Sequence, residues 1–149
     1  MEIVQQTKKK TVLRGLSAAL IGILWMGAAP FAEANGPKRV VISKGQQLLR
    51  AYEGDELVFE SRISTGRRGK ETPSGTFRAG GKQRMHYSSR YHNAPMPYSV
   101  VVKGHYFIHG YSSVPDYPAS NGCIRLPIEE AEWFYHWVTP GTPIRITGR

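Results

Sequence analysis

Beyond residue 35 the apolar residues of this chain come in short runs, and glycine or proline closes most of them. In "KRVVISKGQQLLRAYEGDELVFESRISTG", Val40, Ile42, Leu48, Ala51, Leu57, Val58, Phe59 and Ile63 fall in groups broken by Gly45 and Gly54-Asp55. Runs this short, with turn residues between them, predict a β-meander rather than helices. Further along, "PSGTF" reads as a turn entering a strand, "SVVVKGHYFIHG" as two strand runs about Lys103-Gly104, and "CIRL" and "TPIRITG" as short strands. "RRGKETPSGTFRAGGKQR" is the most loop-like stretch, "MHYSSRYHNAPMPY" is irregular and rich in tyrosine, and "YSSVPDYPASNG" is a proline-rich loop.

Only "PIEEAEWFYHWV" has convincing helical spacing. Pro127 suits the first helical position, where its missing N–H costs nothing, and Glu129 and Glu130 favour the positive end of the helix dipole. Ile128, Ala131, Tyr135 and Val138 form the expected core-facing stripe, and Pro140-Gly141 stops the helix. The expected fold is mainly β with one principal helix at about 127–138, without internal repeat or second domain.

The N-terminus has a different character. Lys8, Lys9, Lys10 and Arg14 form a positive region, residues 16–29 an apolar one, and Ala32-Glu33-Ala34 a small-residue cleavage site. This is the pattern of a secretory signal at residues 1–34, with a mature domain at 35–149. A membrane span needs about 20 apolar residues, and this run is shorter and broken by Gly22, Gly27 and Pro30. With no twin-arginine pair and no cysteine near the cleavage site, general secretion without a lipid anchor is expected. Cleavage leaves 115 of the 149 residues, enough for one core, and lowers the net charge from +9 to +7 by removing four basic and two acidic residues. A small basic exported domain suits an anionic partner such as cell-wall polymer, lipid headgroups or nucleic acid, and charge alone does not choose among them.

The chain has one cysteine, Cys123, so no internal disulfide can hold it together. In an oxidising compartment a lone thiol is inert filler, half of an intermolecular bridge, or a nucleophile. Asn121-Gly122 before it and Arg125 after it make a polar turn rather than a core strand, which favours the nucleophile. A thiol nucleophile needs a base, because free cysteine, with a pKa of about 8.5, is mostly protonated at neutral pH.

Among the five histidines, His86 and His92 sit in the tyrosine-rich stretch and His136 on the helix, where surface or packing roles suffice. His105 and His109 have the spacing of a helical zinc site, but Tyr106 stands where the glutamate belongs. On a strand, four residues span roughly 13 Å, too far for one ion. No metal is expected. His109 ends a strand one loop before Cys123, so strand, loop and returning strand can bring the two together as a thiolate–imidazolium pair. On spacing alone an ordinary hairpin with a chance histidine is equally good.

The literal motifs go further. "IHGYSSVPDYPASNGCIRLP" resembles the active-site signature of L,D-transpeptidases of the YkuD family: histidine-glycine, a loop, then serine-any-glycine-cysteine-(Ile/Val)-arginine. "STGRRGKETPSGTF", "APMPYSVVVKGHYFIHG" and "GTPIRI" resemble other stretches of that family, in order, over nearly all of the mature chain. One departure is Asn121, where many members have histidine. It leaves His109 as the sole candidate base.

The resemblance implies a β-sandwich of mixed sheets and cysteine acyl transfer on peptidoglycan tetrapeptide stems. Cys123 attacks the third-residue carbonyl, the terminal D-alanine leaves with a proton from His109, and an amine of a second stem resolves the thioester into a 3→3 cross-link. Water in that role gives carboxypeptidase activity. The amides of Gly122 and Cys123 are expected to hold the oxyanion. Ser120 orients His109 or caps the turn. Arg125 clamps substrate or holds the 111–120 loop. Gly110, Tyr111, Asn121, Tyr117, Met96 and Tyr98 are the remaining substrate-binding candidates, for which a structural tyrosine cluster is an equal alternative. No cofactor, nucleic acid partner or membrane span after cleavage is implied. The expected location is the periplasm or cell wall, and the expected state a monomer.

Sortases share the order histidine, cysteine, arginine, but place the histidine farther upstream and lead into the cysteine with threonine. NlpC/P60 and papain-like hydrolases put cysteine before histidine. A non-catalytic wall-binding module of the same fold is the alternative outside enzymes.

Overall fold

The computed structural model describes residues 36–148. The signal segment expected at 1–34 lies outside the described residues. Nine strands and one helix follow in the order β1 (Lys38–Ser43), β2 (Leu48–Glu53), β3 (Glu56–Arg62), β4 (Gly75–Arg78), β5 (Lys82–Tyr87), β6 (Pro95–Lys103), β7 (Tyr106–Gly110), β8 (Ile124–Leu126), α1 (Ile128–Trp137) and β9 (Pro143–Thr147).

The expected meander is present: β1, β2 and β3 pair antiparallel in sequence. β9 then adds parallel to β1, and β4 antiparallel to β9, completing a five-stranded sheet in the order β3-β2-β1-β9-β4. The second sheet runs β5-β6-β7-β8, with β6 and β7 the expected hairpin and β8 parallel to β7. Antiparallel partners can join through tight turns, whereas a parallel return needs a longer crossover. Residues 111–123 supply it, so the ordinary hairpin between His109 and Cys123 is excluded.

Two stretches read as irregular carry strands. Arg78 ends β4, residues 82–84 open β5, and the tyrosine-rich segment splits into the end of β5, a turn, and the start of β6. Here backbone pairing overrides local composition. Met85 and Tyr87 sit on β5 with outward, exposed side chains, so no apolar alternation marks the strand.

The two sheets and the helix share one core. Val40, Ile42, Leu49, Ile144 and Ile146 from the first sheet meet Val100, Ile108, Ile124 and Leu126 from the second. α1 covers β6 and β7. Its buried face is Ala131, Phe134 and Val138, so Ala131 and Val138 of the expected stripe face the core whereas Ile128 and Tyr135 do not fill it. Ile128 is 44% exposed and Tyr135 only half-buried. The reason is competition among large side chains. Phe134 takes the central position, Tyr135 packs edge-on against Tyr98, and Trp133 stacks on Phe59 of β3. Pro127 is the cap just before the helix, one place earlier than expected. Lys38 and Lys82 donate to the carbonyls of Trp137, Tyr135 and Val138, the cationic side chains that a helix C-terminus favours.

Phe134 is the largest fully buried side chain. Phe134→Ala is expected to lower the unfolding free energy by about 3–5 kcal/mol. The change should appear as a reduced urea midpoint with the slope unaltered.

Candidate active site

The register of β7 against β8 sets the site. Ile108 lies opposite Ile124 and His109 opposite Arg125. Paired residues of parallel strands face the same way, and side chains alternate along each strand. His109, Arg125 and Cys123, two residues before Arg125, therefore share one face of the sheet. Continuing the ladder back to Cys123 offsets it from His109 by two residues. At about 3.3 Å per residue and about 4.8 Å between strands, their backbones are roughly 8 Å apart, within reach of side chains leaning together.

All three line one cleft of about 100 Å³ with Met96, Tyr111, Ser120 and Asn121. The turn between β5 and β6 adds Ser88, Tyr91 and Ala94 to the lining, and the first residue of β6, Pro95, joins them; none of the four was singled out as a site residue from the sequence. Ser88 and Tyr91 had no sequence signal beyond the irregular, tyrosine-rich stretch, whereas Ala94 and Pro95 open the family-like run "APMPYSVVVKGHYFIHG". Tyr117 is 61% exposed and lies outside the cleft. Tyr98 also lies outside, packed edge-on against Tyr135 of the helix. Gly110 packs rather than lines: a Cβ there would come within 3.2–3.3 Å of Pro97, Ala131 and Ile128.

Gly110 does contribute its carbonyl, which accepts a hydrogen bond from His109 Nδ1 at 2.9 Å. A carbonyl only accepts, so Nδ1 carries the proton and Nε2 is left as the basic nitrogen. The imidazole is 4% exposed, and burial, assisted by the charge of Arg125, pushes its pKa down to about 4. Burial likewise pushes the Cys123 thiol up, against the opposing pull of the Phe107 backbone and Arg125. Both groups thus rest neutral, and the thiolate–imidazolium pair expected from the sequence is not the resting state. The thiol donates to the His105 carbonyl at 3.7 Å, and no hydrogen bond joins it to the imidazole. The two share a cleft without being bonded. Long or misaligned contacts of this kind are common before a substrate arrives.

The cysteine turn is held from below by residues 64–72. Ser64 exchanges backbone hydrogen bonds with Arg125 at 2.9 and 3.0 Å, and its hydroxyl donates to the Tyr117 carbonyl at 2.7 Å. The Thr65 carbonyl accepts from the amides of Ala119 and Ser120. Thr72 Oγ1 accepts from the Gly66 amide at 2.9 Å and donates to the Gly122 carbonyl at 2.7 Å. Gln47 fastens this brace to the first sheet through Thr65. Gly122 has φ +121°, and a Cβ on it would sit 2.9 Å from the Tyr106 ring, so glycine is required.

Ser120 caps the turn. Its hydroxyl accepts from the Gly122 amide at 3.1 Å and donates to the Cys123 carbonyl. That commits one of the two amides expected to hold an oxyanion, whereas the Cys123 amide has no partner among the described residues. Arg125 stacks on the Tyr111 ring at 4.0 Å, which ties it to the 111–120 loop, and it also lines the cleft. No group of three or more potential metal ligands occurs among the described residues.

Thr72→Val strands the Gly66 amide and the Gly122 carbonyl without partners. Losing buried hydrogen bonds of this kind costs about 1–3 kcal/mol, to be read by denaturant unfolding, with slower alkylation or acylation of Cys123 as the turn loosens. His109 links stability to pH. The unfolded imidazole takes its proton near 6.5, the folded one only near 4. The group leaves stability unchanged above pH 6.5, and stability falls as pH drops between those values, by up to about 3 kcal/mol. Thermal unfolding between pH 7 and 4 should therefore show a smaller decline in His109→Asn than in the parent.

The family profile of the L,D-transpeptidase catalytic domain, YkuD, matches residues 37–146. Solved structures share the fold. An L,D-transpeptidase from Xylanimonas cellulosilytica is 29% identical with a TM-score of 0.69, covering 76% of this chain and 61% of its own. L,D-transpeptidase 1 of Mycobacterium tuberculosis is 26% identical with a TM-score of 0.65, covering 74% and 61%. The L,D-transpeptidase LdtMt1 in complex with imipenem is 25% identical with a TM-score of 0.69, covering 74% and 58%. The chain spans about three fifths of the length of these structures. No curated protein matches it. With a family profile over most of the chain and this fold around its cysteine turn, the chain belongs to the YkuD family of L,D-transpeptidase catalytic domains.

Proposed function

We propose that this domain transfers acyl groups between peptidoglycan stem peptides, using Cys123 as nucleophile and His109 as base. The observation that carries the reading is that His109, Cys123 and Arg125 line one cleft on one sheet face, with His109 Nδ1 anchored on the Gly110 carbonyl. Because both groups rest neutral, the proton moves from sulfur to His109 Nε2 as the thiol attacks the third-residue carbonyl, not before. The amide of Cys123 then donates to the developing oxyanion. The protonated imidazole gives its proton to the amine of the departing D-alanine, leaving a thioester. A side-chain amine of a second stem resolves it into a 3→3 cross-link.

Arg125 is the candidate clamp for a substrate carboxylate or carbonyl, with Met96, Tyr111 and Asn121 lining the cleft beside it. Export through a cleaved signal at 1–34 places the monomeric domain in the periplasm or cell wall. The charged n-region, the apolar run and the Ala32-Glu33-Ala34 site support that placement. No described helix is long and apolar enough to cross a membrane.

Incubation with disaccharide-tetrapeptide, followed by mass spectrometry, tests the reading. Cross-linked dimer is the expected product. Loss of alanine alone would make the domain a carboxypeptidase, and unchanged substrate would make it a binding module. Cys123→Ala is expected to abolish every product while remaining folded by circular dichroism. Turnover retained in that variant would overturn the assignment.

A further inference from the structure

β6 carries a backbone anomaly beside the cleft. Tyr98 has φ +54°, in the left-handed region. Among the described residues it is the sole non-glycine residue inside a strand with that sign, because Gln47, His92 and Asn93 share it only in turns. A bulky side chain is disfavoured in this conformation, which persists only where the surroundings impose it.

The consequence is an exchange of faces. Val100 pairs with Ile108, and both are buried in the core. Strict alternation along β6 would put Met96 on that core side and Pro97 on the side of His109. The reverse is found. Met96 lines the cleft with His109, whereas Pro97 lies with Ala131 and Ile128 of α1 around Gly110, where a Cβ would meet all three at 3.2–3.3 Å. Tyr98, although next to Pro97 in sequence, also meets the helix, its ring centre 5.8 Å from that of Tyr135. The ladder with β5 passes over Tyr98, setting Gln83 opposite Ser99 and Met85 opposite Pro97. The Ser99 hydroxyl donates to the Met96 carbonyl at 2.8 Å and closes the bend.

We infer that Tyr98 is a positioning residue for the acyl transfer proposed above, and that it acts through its left-handed backbone rather than its ring. The inference rests on that reading of the site. The backbone turns Met96 into the cleft wall and sets Pro97 against Gly110, whose carbonyl holds His109 Nδ1. The ring serves the helix by packing on Tyr135. Relaxing Tyr98 to ordinary strand geometry takes Met96 out of the wall and withdraws Pro97. The Gly110 carbonyl is then free to shift, and the His109 proton is no longer confined to Nδ1.

Substitutions at this one position separate backbone from ring. Tyr98→Gly and Tyr98→Asn lose the ring but tolerate a positive φ, whereas Tyr98→Val loses the ring and resists it. All three should lower the urea midpoint. Only Tyr98→Val should lower kcat/KM for the disaccharide-tetrapeptide, by about ten- to a hundredfold, with KM raised and kcat reduced. Nitrogen NMR of the imidazole reads the second effect without substrate. His109 should keep its proton on Nδ1 in the parent, Tyr98→Gly and Tyr98→Asn, and share it between both nitrogens in Tyr98→Val. Parent-like kcat/KM in folded Tyr98→Val, or an equal loss in all three variants, overturns the inference. If Tyr98→Val does not fold, Tyr98→Ala replaces it, differing from Tyr98→Gly by one methyl group. The alanine variant should then have the lower kcat/KM, and equal values overturn the inference. If the parent leaves the tetrapeptide unchanged, the acyl-transfer reading fails, and the NMR comparison still decides the role of Tyr98. A shared proton confined to the variants that resist the left-handed region supports that role, and one tautomer throughout overturns it.

Discussion

Parallel pairing of β7 with β8 is the constraint on which the site depends. An antiparallel return through a short loop would have placed the cysteine elsewhere on the ladder. The longer crossover brings the chain back in the same direction, and the alternation of strand side chains then puts His109, Arg125 and Cys123 on one face. A slip of one residue would turn Cys123 and Arg125 into the position now held by Ile124, inside the core. Burial of Ile108, Ile124 and Leu126 prevents that slip, so the hydrophobic core sets the register of the site.

The cysteine turn itself has little apolar surface and is held by hydrogen bonds instead. Ser64, Thr65 and Thr72 are almost wholly buried, and each uses its polar groups on neighbouring backbone or on Gln47. Among the described residues no buried side-chain nitrogen or oxygen lacks a partner. A buried polar brace of this kind is costly if any member is missing, which is why it can hold one turn conformation. It anchors both ends of the turn, at Tyr117 to Ser120 and at Gly122 to Arg125.

Burial has an electrostatic consequence for reactivity. Desolvation moves imidazole and thiol in opposite directions, away from the ion pair, and the nearby guanidinium of Arg125 pushes the imidazole further. Such a site is quiet at rest, and in the acyl transfer proposed above the sulfur gives up its proton only as it meets a substrate carbonyl. A neutral resting state also limits oxidation of the thiol, since the thiolate is the reactive form.

Much of this was legible in the chain. Glycine and proline punctuation announced the meander, the β6–β7 hairpin and the single helix, because local turn chemistry and periodicity carry that information. Cys123, His109, Arg125 and Ser120 stood out because their residue types and order match a known chemistry. The direction of β8, the committed Gly122 amide and the neutral resting pair were not legible, since each depends on contacts between residues distant in sequence. Tyr98 and Tyr117 looked equivalent to Tyr111 by composition, yet only packing separates the one that lines the cleft from the others. What the amino-acid order determined by itself is a β-rich domain with a cysteine, a histidine and an arginine suited to acyl transfer. The tertiary structure alone decided that they meet on one face and in which protonation state, because register and desolvation are properties of the folded core.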